Sequence, residues 1–167
     1  DRGGSSGTQT ATAAAYAGTQ LPGPVGRIWV DFQVTDSTTE DVVLIVSGGS
    51  RPFTQPQVVS SGIVGSGFSD AACHLVVNPN GWSYGVLTDT PWTIDEVANG
   101  AFSPPLEAGV THTMRVDFDG TKATVTTPRG VQVAATDTRI GTPAYRGPYA
   151  AIELYSGTGV QRSAAKI

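Results

Sequence analysis

A chain of 167 residues is long enough to bury a core without a metal or disulfide staple. Its charged fraction is 14%, against about 25% in ordinary soluble domains, and Ser, Thr, Gly and Ala fill the difference, which suits strands and tight turns better than helices. A net charge of −4 with no Lys/Arg run argues against nucleic acid, no apolar run approaches the roughly 18 residues of a membrane helix, and the single Cys73 excludes an internal disulfide.

Residues 1–9 open with Asp-Arg-Gly-Gly-Ser-Ser-Gly, a linker composition, and the chain starts at Asp1 without an initiator Met. The expectation is a processed or excised unit, with residues 10–167 forming one domain. The clearest strand runs from Arg27 to Val34. There Ile28, Val30, Phe32 and Val34 alternate with Arg27, Trp29, Asp31 and Gln33. Residues Asp41 to Val46 are apolar on both faces and predict a central strand. Ala72 to Asn78 predicts another, closed by Asn78-Pro79-Asn80-Gly81, where Asn-Gly would supply the positive φ of a hairpin. Trp82, Tyr84 and Val86 share one face of the next strand, and Pro91 opens a further one with Trp92 and Ile94.

His112, Met114, Val116 and Phe118 then alternate with polar residues up to an Asp119-Gly120 turn. Ala123, Val125 and Thr127 follow, and Pro128-Arg129-Gly130 turns the chain into Val131 and Val133. Ala150, Ile152 and Leu154 alternate with Tyr149, Glu153 and Tyr155, and residues 160–167 offer a closing strand. Many short strands divided by Gly, Pro, Asn and Asp predict an all-β fold, an antiparallel sandwich or barrel.

Two stretches carry a family resemblance. The hairpin from Thr113 through Asp119-Gly120 to Gly130 resembles the recurring strand–turn–strand unit of the concanavalin A-like (laminin G-like) jelly-roll superfamily. The segment from Cys73 through Asn78-Pro79-Asn80-Gly81-Trp82 to Val86 is similar to sandwich modules of actinobacterial exported proteins and actinobacteriophage minor tail proteins. The resemblance implies a jelly-roll β-sandwich that binds glycans or proteins, although some superfamily members are glycoside hydrolases.

Those hydrolases carry Glu-x-Asp-x-x-Glu, which sets alternate carboxylates on one strand face. The sequence lacks that pattern. Asp95-Glu96 puts its carboxylates on opposite faces, and Glu153 and Asp31, if they met across a sheet, read as solvated acids. His74 and His112 have no His or carboxylate at ligand spacing and read as hydrogen-bonded interior or edge histidines. Cys73 reads as a small buried hydrophobe. Asp36, Glu40 and Asp41 give one loop three oxygen donors, a weak suggestion of calcium without the spacing of a calcium loop. No other cofactor is implied.

The aromatics say more. Trp82, Tyr84 and Trp92 have apolar i±2 neighbours and belong to the core. Trp29 lies between Arg27 and Asp31, so alternation sends its indole to a polar face, and Tyr149 and Tyr155 share the side of Glu153. If those strands are neighbours, Trp29, Tyr149, Tyr155, Arg27 and Glu153 form one face of rings, donors and acceptors that suits a sugar or a subunit interface. The reading is a non-catalytic module for a surface glycan or cell-envelope polymer, extracellular or on a virion. Its rivals are an assembly domain that packs against other subunits, and a divergent glycoside hydrolase or lyase.

Overall fold

A computed structural model describes residues 11–16, 20–34, 42–49, 72–87, 94–156 and 164–166, with side chains described within 20–34, 73–86 and 95–150. The strands are β1 (Ala11–Tyr16), β2 (Arg27–Gln33), β3 (Val42–Gly49), β4 (Ala72–Asn78), β5 (Gly81–Leu87) and β6 (Ile94–Ala101). They continue with β7 (Thr111–Asp119), β8 (Lys122–Thr126), β9 (Gln132–Thr136), β10 (Tyr149–Ser156) and β11 (Ala164–Lys166). All paired strands are antiparallel. One sheet has six strands in the order β1-β10-β3-β4-β5-β6, and the other has five in the order β11-β2-β7-β8-β9.

The alternation read in the sequence decides which side of each strand meets the other sheet. Ile28, Val30 and Phe32 of β2 and Met114, Val116 and Phe118 of β7 are buried, while the residues between them are not. Cys73, Leu75 and Val77 of β4 and Trp82 and Tyr84 of β5 supply the opposing layer. β3 is central, between β10 and β4, as its two-sided apolar run predicts. β1 was not legible: an Ala-rich run has poor strand propensity, and its pairing with β10 is tertiary.

Turn chemistry is partly as expected. Gly120 and Gly130 take φ of 56° and 75° in the two predicted turns. Gly81 does not have a positive φ, contrary to the Asn-Gly expectation. Instead Asn78 Oδ1 accepts from the backbone N–H groups of Asn80 (2.8 Å) and Gly81 (2.9 Å), so an Asn side chain makes the turn through Pro79 and Asn80. Gly81 is required by close approach: a Cβ there would lie 2.7 Å from the Gly100 carbonyl oxygen.

After β9 a single turn of 3-10 helix, Thr138–Gly141, seats Ile140 in the core and is capped by Asp137. Arginines hold the loops. Arg146 donates to the carbonyls of Val25, Phe118 and Gly120 and lies over the Phe118 ring. Arg129 donates to the carbonyls of Ser103 and Pro104 and covers Phe102. Arg139 joins Asp137 at 2.8 Å to Asp95 of β6 at 2.5 Å, and the Asp137 carboxyl is held below its usual range chiefly by that guanidinium.

Cys73 is fully buried, as predicted, and its thiol is pushed up to about 11 by desolvation. Its Sγ lies 3.5 Å from the Tyr145 carbonyl oxygen. His112 matches its expectation, with Nε2 2.9 Å from the Glu107 carbonyl oxygen. His74 is interior, 2% exposed, and among the described residues neither ring nitrogen has a hydrogen-bond partner. Trp92 and the Asp36, Glu40 and Asp41 loop lie outside the described residues, as does the 1–9 segment.

Candidate binding surfaces

Strand order divides the five residues picked from the sequence. Arg27 and Trp29 lie on β2 of the five-stranded sheet, whereas Tyr149, Glu153 and Tyr155 lie on β10 of the six-stranded sheet. The condition that these strands be neighbours is not met, so the residues do not form one site. Asp31 and Glu153 are separated in the same way. Parity along a strand fixes the face of a residue but not the sheet to which the strand belongs.

On the five-stranded sheet, Trp29 does face outward, with 49% of its surface exposed. Arg115 of β7 is its cross-strand partner, and Arg27 pairs with Asp117 in the next outward row. Asp117 receives both arginines: Arg27 Nε donates to Oδ1, and Arg115 Nε sits 2.6 Å from Oδ2, too poorly aligned for a good hydrogen bond. On the other side of the indole, Thr113 donates to Asp31 at 2.5 Å, and Gln33 donates to Thr111 at 2.9 Å. Outward threonines of β7 and β8 continue the polar face.

The outer side of the six-stranded sheet has a shallow depression of about 380 Å³ over β4, β5 and β6. Val76 is apolar at its base. Ser83, Glu96, Asn99 and the hairpin residues Asn78 and Asn80 bring hydroxyl, carboxylate and amide groups to it. Asn99 Nδ2 donates to Glu96 Oε1. Residues three apart on a regular strand face opposite ways, yet these two meet because β6 carries a bulge. Tyr84 pairs with Ala98 but Gly85 pairs with Glu96, so Val97 is an extra residue that restores Glu96 to the outer face. Gly100 lets the β6 backbone pass against the Trp82 indole, where a Cβ would sit 2.7 Å from Nε1.

Register ties β10 to this face. Glu153 pairs with Leu44, Leu44 with Val76, Val76 with Ser83, and Ser83 with Asn99, a single row across the sheet. Glu153 thus occupies the same face as the depression, and Tyr155 the next like-facing position of its strand. Their side chains lie outside the described residues. Tyr149 is half-buried at the start of β10, beside a register shift. Glu96 is not legible in the sequence because nothing in the residues 94–101 announces the bulge that turns it outward, and Ser83 and Asn99 because alternation gives their face but not their pairing. Among the described residues no cluster of His, Cys, Asp and Glu could hold a metal ion.

Two antiparallel sheets packed face to face define an all-β antiparallel sandwich. Among solved structures the chain is similar to the carbohydrate-binding module CBM66 from Bacillus subtilis (6% identity, TM-score 0.55, 95% of this chain and 83% of that one). It is also similar to CG-16, a homodimeric agglutinin from chicken liver (15%, 0.51, 93% and 100%). A third is a toad ovary galectin in complex with thio-digalactose (11%, 0.51, 93% and 98%). At such identities the likeness is one of fold. No protein-family model matches the sequence, and no curated protein matches it.

Proposed function

We propose that the chain is a non-catalytic glycan-recognition module whose ligand lies in the depression over β4, β5 and β6. The observation that carries this reading is the constellation of Ser83, Glu96 and Asn99 around Val76 on an open sheet face. An amide, a hydroxyl and a carboxylate match sugar hydroxyls, which both donate and accept, and an apolar base suits the C–H side of a pyranose. The fold likeness to a carbohydrate-binding module and to galectins agrees with it.

Catalysis has less support. Glu96 is the one acid lining the depression among the described residues, and Glu153 lies four strands away from it, about 19 Å at the usual strand spacing. Two-carboxylate hydrolysis needs its acids within roughly 5–10 Å. An exterior setting, on an exported surface protein or a phage tail, follows from the resemblances in sequence and is part of the proposal.

A glycan array followed by calorimetry on the best ligand tests the reading. Asn99→Ala and Ser83→Ala should each weaken binding while leaving thermal unfolding unchanged. Retained affinity in both variants would move the ligand elsewhere, and an array without any bound glycan would end the reading.

A further inference from the structure

The opposite outer face has a construction that the depression does not use. Trp29 is half exposed in the middle of β2, not at a loop tip, with β7 beside it and the β11 pairing reaching only as far as Asp31. An open indole on a strand keeps a large apolar ring in water, and the residues around it are arranged rather than random. Arg27 and Arg115 both turn their Nε toward the single carboxylate of Asp117. That anchoring leaves the terminal amino groups of both guanidinium groups without a partner among the described residues. Beyond the indole, Asp31 is steadied by the Thr113 hydroxyl and keeps acceptor capacity. A flat ring therefore has fixed donors along one edge and a fixed acceptor along the other.

Charge and composition choose the occupant. Among the described side chains two arginines balance Asp117 and Asp31, and the chain as a whole carries −4, so an anionic polymer gains little from the patch around Trp29. The surrounding face presents Thr111, Thr113, Thr124 and Thr126 with Asp119 and Lys122, too polar for the core of a stable self-interface. What remains is a ligand with an apolar flank and a rim of neutral hydroxyls. We propose that Trp29, Arg27, Arg115 and Asp31 form a second saccharide site, for a neutral pyranose of a glycan chain, on the face opposite the depression. This site does not rest on the depression being occupied. Two sheets back to back aim the sites in opposite directions, so the module would bridge two chains of a polymer.

The test is a nitrogen-15 NMR titration of the full chain with neutral tetrasaccharides of glucose, galactose, mannose and N-acetylglucosamine. At least one should shift the Trp29 indole N–H together with the Arg27 and Arg115 Nε–H signals. Trp29→Ala should weaken that binding about tenfold or more, from the apolar area lost, while shifts at Ser83 and Asn99 persist. Trp29→Phe should restore part of it. Asn99→Ala should leave the Trp29 shifts in place, so loss of the depression site and loss of this one are told apart. Three results would overturn the proposal: no tetrasaccharide moves the Trp29 indole, its shifts vanish in Asn99→Ala, or they follow protein concentration in the absence of sugar.

Discussion

His74 gives the sharpest test of the packing. Its neighbours Cys73 and Leu75 belong to the core, while it occupies the other side of β4, 2% exposed and with neither ring nitrogen partnered among the described residues. Burial alone lowers its pKa from 6.5 to about 4, because the imidazolium has lost its water. As pH falls, the unfolded chain takes up the proton first. Stability is therefore fully present above 6.5, declines between 6.5 and 4, and becomes insensitive to this group below 4. At about 1.4 kcal/mol for each pH unit, the decline amounts to about 3 kcal/mol. Urea unfolding of the wild type and His74→Leu across that range isolates the term, since every other titrating group is common to both chains. The variant should lack this decline. At neutral pH it should lose little stability or gain about 1 kcal/mol, because two buried polar atoms without partners are removed. Parallel curves for the two proteins, or an NMR titration of His74 with a midpoint near 6.5, would refute the argument.

Gly81→Ala should cost about 1–3 kcal/mol in chemical denaturation, since its Cβ would meet main chain, the Gly100 carbonyl oxygen at 2.7 Å, rather than a movable side chain. The same variant should weaken glycan binding at the depression, which Gly81 lines. Arg146→Ala should lower stability by about 1–3 kcal/mol, seen as a fall in Tm, because the Val25, Phe118 and Gly120 carbonyls lose a shared donor. Its effect on binding should be small.

The strands were legible wherever one face meets the core and the other meets water. Period-two alternation placed β2, β7 and β8 and sent the Trp29 indole outward, as the structure has it. The same rule could not say that β2 and β10 belong to different sheets, because strand order depends on long-range pairing that leaves no local trace. It also fails at Val97, where one inserted residue exchanges the faces of everything before it and brings Glu96 beside Asn99. The Asn78–Gly81 segment was rightly a turn, but the roles were exchanged. Asn78 shapes it with a side-chain oxygen, and Gly81 is there for its missing Cβ. β1 has neither alternation nor strand-forming residues to announce it.

All five arginines with described side chains are tied down, Arg27 and Arg115 to Asp117, Arg139 to Asp137 and Asp95, and Arg129 and Arg146 to main-chain carbonyls. In these five, positive charge serves as internal rigging, while the chain as a whole carries a net charge of −4. A net negative charge of that size disfavours polyanions at a distance, and the described arginines add little to draw them in. Encounter with the neutral glycan proposed above would then be governed by diffusion and shape, and changes in ionic strength should barely alter how fast it arrives.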